Sequence, residues 1–358
     1  MSKTERNRIL DLLGIELPII QAPMAGATTP EMVIATSQAG GLGSLPAALL
    51  SAEQARADLD RIRAATSRPI NLNFFTHVPK TVSDEQLDRW RAALSPYYAE
   101  LGLDVSAPMP TSNRAPFDDA FCSIVESHKP EVVSFHFGLP GDERLLSRVR
   151  RTGAKIIASA TTVAEARWLV ERGVDAVIAM GLEAGGHRGN FLSDDMGTQV
   201  GTMALVPQIV DAVDVPVIAA GGIADRRGVQ AAFALGASAV QVGTAYLLTP
   251  EAKVSAFHRA ALLAAVDHQT ALTNLFTGRP ARGFVNRLMR EVGPISAIAP
   301  GFPLAGGALI PLRAVTEKAG VSDFSNMWAG QAASLARERS SAELTRHLAG
   351  VDGAAPAA

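Results

Sequence analysis

Apolar residues in the first 243 positions gather into eight short runs, at 18–24, 41–45, 70–75, 132–137, 155–160, 175–180, 216–220 and 239–243. Each run is 5–7 residues long and apolar almost throughout, the pattern of a strand buried on both faces in a parallel sheet. The stretches between them are amphipathic. Thr162 and Glu165 have capping-box spacing, and Val163, Ala166, Leu169 and Val170 follow on one helical face. Asp225 stands as an N-cap before Val229, Ala232 and Phe233, and Gly236 ends that stripe. Strand and helix alternating eight times predict an α/β fold, most economically a (β/α)8 TIM barrel. A doubly wound open sheet is the competing arrangement, and strand number does not separate the two.

Two regions exceed a bare barrel. Between the third and fourth runs, residues 76–131 carry a helical pattern at 86–101 and a proline-rich loop at 107–110. After the eighth run, 250–272 reads as helix, 273–311 is rich in Gly, Pro and Arg, and 322–348 is helical again. The expected organisation is a barrel over 1–248 with a helical insertion at about 76–130, then a smaller, mainly helical unit over 249–320 that covers the substrate. A C-terminal helix at 321–348 returns to the barrel, and 349–358 forms a disordered tail.

Composition narrows the class. Of 358 residues, 47% are hydrophobic and 19% charged, which excludes a disordered chain. Lys and Arg number 33 against 35 Asp and Glu, a net charge of −2 that points to neither nucleic acid nor a membrane surface. Cys122 is the single cysteine, so neither an internal disulfide nor a thiolate metal site is expected. No run of about 18 apolar residues suggests a span, and the start, MSKTERNRIL, is charged, so a soluble cytoplasmic protein is expected. HExxH, Walker A and GxSxG patterns are absent, and no metal site is expected.

In a barrel, chemistry sits just past the C-terminal ends of the strands. The seventh run ends in Ala-Gly-Gly-Ile (220–223) and the eighth in Gln-Val-Gly-Thr (241–244). Glycines there let backbone N–H groups approach a phosphate, although a tight turn explains each pair taken singly. After the sixth run, His187 lies in a glycine-rich stretch, Gly181 to Gly189, at the catalytic rim. Its imidazole suits proton transfer at neutral pH, so His187 is the candidate base. His136, in the fourth run, is the next candidate, while His77, His128, His258, His268 and His347 read as structural or solvated. Near the start, Ala22, Pro23 and Met24 close the first run, and Asn71 and Asn73 lie in the third. These residues can face a flat ring, or pack as ordinary core. Cys122 has no histidine at a supportive spacing and is not a candidate nucleophile.

Taken together, QAPMAGATTP (21–30), EAGGHRG (183–189), PVIAAGGIADRRG (216–228) and AVQVGTAYL (239–247) resemble the nitronate monooxygenases, formerly called 2-nitropropane dioxygenases. TGRPARGFVNRLM (277–289) and MWAGQ (327–331) extend the likeness over nearly the whole chain. The resemblance implies a TIM barrel with FMN held at its mouth. By that likeness Ala22, Pro23, Met24 and Asn73 contact the flavin ring, with Asn71 the alternative to Asn73. Gly185, Gly186, Gly222, Gln241, Gly243 and Thr244 meet the ring edge and phosphate, His187 is the catalytic base, and Gln331 borders the flavin. Tyr246 is the one tyrosine beside a motif, so a tyrosine-lined pocket is not expected. The implied reaction is oxidation of an alkyl nitronate, or of a nitroalkane, by O2 to a carbonyl compound and nitrite. FMN-dependent enoyl reductases carry a similar Gly-Gly-His loop, so a reductase that uses NAD(P)H on quinones or enoyl thioesters is the alternative. A barrel that binds ligand without flavin is a third.

Overall fold

The structure is a computed structural model that describes residues 3–78, 81–110 and 114–352. Its strands are β1 (Ile19–Gln21), β2 (Gly43–Pro46), β3 (Ile70–Phe75), β4 (Val132–His136), β5 (Lys155–Ala160), β6 (Ala176–Met180), β7 (Gly186–His187), β8 (Val217–Ala220), β9 (Ala239–Val242), β10 (Thr270–Thr273) and β11 (Ala281–Phe284). Eight of them form one parallel sheet in the order β1-β9-β8-β6-β5-β4-β3-β2, and a parallel bridge between Ile20 and Leu42 joins its two ends. The sheet therefore closes into a barrel, and the open doubly wound arrangement is excluded. All eight predicted runs contain a barrel strand. The first run pairs only over Ile19–Gln21, and residues 22–24 leave the ladder to lie across the mouth.

Continuous apolar runs suit this closure because each strand is covered on both faces. Ile20, Leu42, Val132, Ile157, Ile178 and Ile218 fill one end of the interior, and Ile9 and Leu13 of the helix Lys3–Leu13 pack against them as a plug. A larger core lies between the barrel and its surrounding helices. Asp225 caps its helix as its position predicts, accepting from Arg227 N and Gly228 N. The capping box at Thr162 is only half formed. Thr162 caps Glu165 N, but the Glu165 carboxylate is buried and accepts instead from Thr161 and from the backbone of Phe191 and Leu192.

The additions to the barrel depart from the sequence reading. Residues 250–272 are not one helix: Ala256–Leu263 is helical, and β10 follows. The order β10-β11-β7 makes a three-stranded antiparallel sheet, so the smaller unit is less helical than its composition suggests. The partners of β10 lie in later sequence, beyond what local periodicity reports. The helix Asp84–Glu100, inside the insertion, packs with residues 275–324 in a separate core that includes Trp90, Tyr98, Phe276, Leu309 and Phe324. Trp90 Nε1 donates to Ala305 O at 3.0 Å, and Tyr98 OH donates to Ala308 O at 2.6 Å. Trp90→Ala, which empties a fully buried site and orphans that carbonyl, should cost about 3–5 kcal/mol. Urea denaturation reads this directly, and a loss below about 1 kcal/mol would refute a packed second core.

The helix Ser341–Ala349 packs on β1 and on the helices Pro30–Gln38 and Arg226–Ala234, filling the place of the helix that should follow the last barrel strand. Tyr246 is fully buried, and its hydroxyl pairs with Thr345 Oγ1 at 2.7 Å, so this tyrosine anchors that helix and does not line the site. Of the expected tail, 353–358 lies outside the described residues. No helix among the described residues is long and apolar enough to cross a membrane.

Candidate functional site

The C-terminal ends of the barrel strands open into a cavity of about 450 Å3. Its walls include Ala22, Pro23, Met24, Asn73, Gly185, Gly186, His187, Gly222, Gln241, Gly243 and Thr244. Gln331 is not among them. It is exposed, and its backbone N–H donates to Glu183 O at 3.0 Å.

Where the chain leaves β1, Gln21 holds it in place. Its Oε1 accepts from Ser44 N at 2.9 Å, and its Nε2 donates to Thr28 Oγ1 at 3.1 Å and to Ala22 O. The two asparagines of β3 part company here. Asn71 is fully buried and donates to Ser44 and Ser134 hydroxyls, whereas Asn73 lines the cavity and donates to Ser134 Oγ at 2.9 Å.

The glycines differ in what they do. Gly222 has φ +72° and turns the chain after β8. A Cβ on Gly243 would lie 3.4 Å from Ala22 Cβ and 3.7 Å from Met24 Sδ, so the backbone tolerates one and the cavity would receive it. Gly186, at φ +73°, has no atom within 4 Å of a Cβ position. Gly185 is needed by the protein itself, because a Cβ there would come within 2.6 Å of Gly330 N. Glu183 caps the helix Thr202–Val210, accepting from Thr202 N at 2.8 Å and from Thr202 Oγ1 at 2.8 Å, so that helix N-terminus is already satisfied.

His187 is not on a loose loop. It ends the two-residue strand β7, opposite Ala281 of β11. Its carbonyl accepts from His136 Nε2 at 3.2 Å, and its own Nε2 lies 3.0 Å from Thr277 Oγ1. The rings of Phe75, Phe302 and Trp328 surround it at centroid distances of 5.9, 5.4 and 5.5 Å. Burial, followed by the charges of Arg114 and Arg279 and the neighbouring imidazoles, holds its pKa well below the usual 6.5. Burial likewise lowers His136 to about 3. Arg188, fully buried, forms no ion pair among the described residues. It donates to Gly181 O at 2.6 Å, Met180 O at 2.9 Å and Gln199 Oε1, and so braces the stretch that leads to His187.

These residues fit a flavin. Among the described residues Gln241 Oε1 is buried beside the cavity with no hydrogen-bond partner, Asn73 presents an amide, and Gly186 and Gly243 leave space on the cavity wall that side chains would fill, while Gly222 turns beside the Glu183 side chain. His136 and Ser159 also line the cavity, bonded to each other at 2.6 Å. Their positions at the ends of β4 and β5 were a readable signal. Thr277 opens the 277–289 stretch that carries the family likeness, though nothing in that stretch points to a partner for it, and Phe302 lies outside every motif.

The chain matches the family model described as nitronate monooxygenase over residues 6–350. The chain belongs to that family. It is 40% identical over 344 residues to a nitronate monooxygenase of Pseudomonas aeruginosa, covering 96% of this chain and 98% of that one. A solved structure described as nitroalkane oxidase from Streptomyces ansochromogenes superposes with a TM-score of 0.87 at 38% identity, over 96% of this chain and 97% of that one. FabK from Thermotoga maritima is similar at a TM-score of 0.72 and 29% identity, over 95% and 94%. Membership of the nitronate monooxygenase family agrees with the closed barrel and with the resemblance carried by the motifs.

Proposed function

We propose that this protein oxidises alkyl nitronates with O2 to a carbonyl compound and nitrite, using FMN. The observation that carries the reading is His187, held at the cavity wall by β11 and Thr277 and ringed by Phe75, Phe302 and Trp328. Gly222, Gly243 and Thr244 would hold the phosphate, and Ala22–Met24, Asn73 and Gln241 would bound the ring. When bound, the flavin supplies the electron transfer between substrate and oxygen. The chain's own residues bind and orient. The apolar ring around His187 excludes water from the reacting carbon, and Arg114 on the cavity wall favours an anion, whereas the charge of Arg313 is met by Glu317 at 2.9 Å. His187 touches the substrate. Its suppressed basicity makes it a weak acceptor for the α-proton of a neutral nitroalkane, so the reading favours a substrate that arrives deprotonated.

Purified protein should be yellow, should release FMN and not FAD on denaturation, and should yield nitrite from short alkyl nitronates in air. Turnover of the parent nitroalkanes should be far slower. Rapid anaerobic bleaching by NADH or NADPH, with none by nitronates, would replace this reading with a reductase, which the likeness to FabK keeps in view.

A further inference from the structure

Building on the proposed nitronate chemistry, we infer that Thr277 is a positioning residue whose hydroxyl donates to His187 Nε2, placing the ring proton on Nδ1 and making His187 a neutral hydrogen-bond donor to the anionic oxygens of the substrate.

The threonine hydroxyl has a single proton to give. Thr277 Oγ1 has two neighbours, His187 Nε2 at 3.0 Å and Arg279 O at 3.4 Å. The first is an ordinary hydrogen-bond length and the second is near the limit, so the proton lies toward the imidazole. A neutral imidazole carries one N–H. If Nε2 accepts, Nδ1 must be the donor. Among the described residues Nδ1 makes no hydrogen bond, and it is not one of the buried unpartnered atoms, so it faces the cavity that His187 lines.

Both partners are held rigidly. Thr277 is 1% exposed, in the turn between β10 and β11. Gly278 N donates to Asn274 O at 2.7 Å across that turn, and Gly278, at φ +87°, packs against the backbone of Pro300–Phe302 with no room for a Cβ. On the other side, the His187 carbonyl can only accept, so His136 Nε2 carries a proton and His136 Nδ1 accepts from Ser159 Oγ. Gly189 lies directly over this pair, where a Cβ would approach Ser159 Oγ at 2.8 Å and His136 Cε1 at 2.9 Å. The main chain on both sides of the ring is thus pinned, and the ring cannot turn to exchange its nitrogens without breaking the bond to Thr277.

The chemistry agrees with this assignment. A nitronate has already lost its α-proton and carries its negative charge on two oxygens. It needs a donor and not a base. Protonation of His187 is opposed by burial and by Arg114 and Arg279, and a neutral N–H meets the anion without that cost.

The test is NMR of the FMN-loaded protein labelled with 15N-histidine, with the His187 signals assigned by their loss in His187→Asn. Nδ1 should show the shift of a protonated nitrogen and Nε2 that of an unprotonated one. Thr277→Val should shift the population toward Nε2–H, and Thr277→Ser should restore the original state. In parallel, Thr277→Val should raise KM for a nitronate about tenfold and change kcat less than twofold, the size expected for one hydrogen bond to a charged group. A wild-type ring protonated on Nε2, a tautomer unmoved in Thr277→Val, or a fall in kcat alone would each overturn the inference. The ring signals need no turnover, so failure to release nitrite would count against the proposed reaction and not against the assigned tautomer.

Discussion

Gly243→Val is expected to fold normally and to lose its flavin. The residue sits one position beyond β9, at φ −110° and ψ −73°, a conformation open to any residue. A first carbon at this site makes ordinary contact with Ala22 and Met24, so the backbone need not move. The two further methyl groups of valine have only the cavity to enter, and they would stand between the phosphate and the backbone donors of 243–244. Each charge-assisted bond lost is worth about 1.5–3 kcal/mol, so FMN affinity should fall roughly a hundredfold or more. Gly243→Ala, with one carbon, should fall between wild type and valine. Flavin content per chain, read beside the far-UV spectrum and the melting temperature of the flavin-free protein, decides the matter. Full occupancy in a folded valine variant would move the phosphate elsewhere.

Stability should drop steeply as pH falls from 6.5 toward 4. Burial is the leading cause that lowers the pKa of His77 to about 4, of His136 to about 3 and of His258 to about 4, and that of His187 well below 6.5. In the unfolded chain all four take a proton near pH 6.5, whereas the folded chain keeps them neutral until lower pH. The unfolded state therefore binds more protons throughout this window, and stability rises with pH across it. The stabilisation is fully present above pH 6.5 and is lost on descent. Each group contributes up to about 1.4 kcal/mol per pH unit, and together about 5 kcal/mol per unit at the steepest point, enough to consume the stability of an ordinary domain. Urea midpoints at pH 7, 6 and 5 would show it. His258→Phe should remove about a quarter of the slope, and a midpoint unchanged between pH 7 and 5 would mean that these imidazoles are not held neutral.

His258 also shows what local sequence leaves open. Read as structural or solvated, it proves to be buried on the cavity wall, because Ala256–Leu263 packs over the segment Thr244–Leu248. The glycines after β8 and β9 and His187, by contrast, stand out in the sequence, because in a barrel the ends of strands are already a prediction about position. Asn71 and Asn73 show the boundary between the two. Alternation along β3 says that they share a face, but only the depth of each within the barrel puts Asn73 at the cavity and Asn71 beneath it. Gln331 shows it again: the likeness of its motif places it beside the flavin, yet Gly330 is the residue that packs against Gly185, and Gln331 is exposed and not on the cavity wall.

By itself the sequence determined eight buried parallel strands alternating with helices, and the strand ends on which chemistry sits, while closure into a barrel was decided by the Ile20–Leu42 bridge. Eight apolar runs at strand length, separated by amphipathic helices, are local patterns, and the burial of a parallel strand on both faces writes itself into consecutive residues. What only the tertiary structure decided is how the later segments reach that rim. The β10-β11 hairpin captures Gly186–His187 as a third strand, the helix Asp84–Glu100 joins a core built from residues some 200 positions later, and Thr277 comes to rest on His187, 90 residues away. These contacts bring together parts of the chain with no shared periodicity. Their stability comes from side chains far apart in the sequence, so no window of sequence contains them.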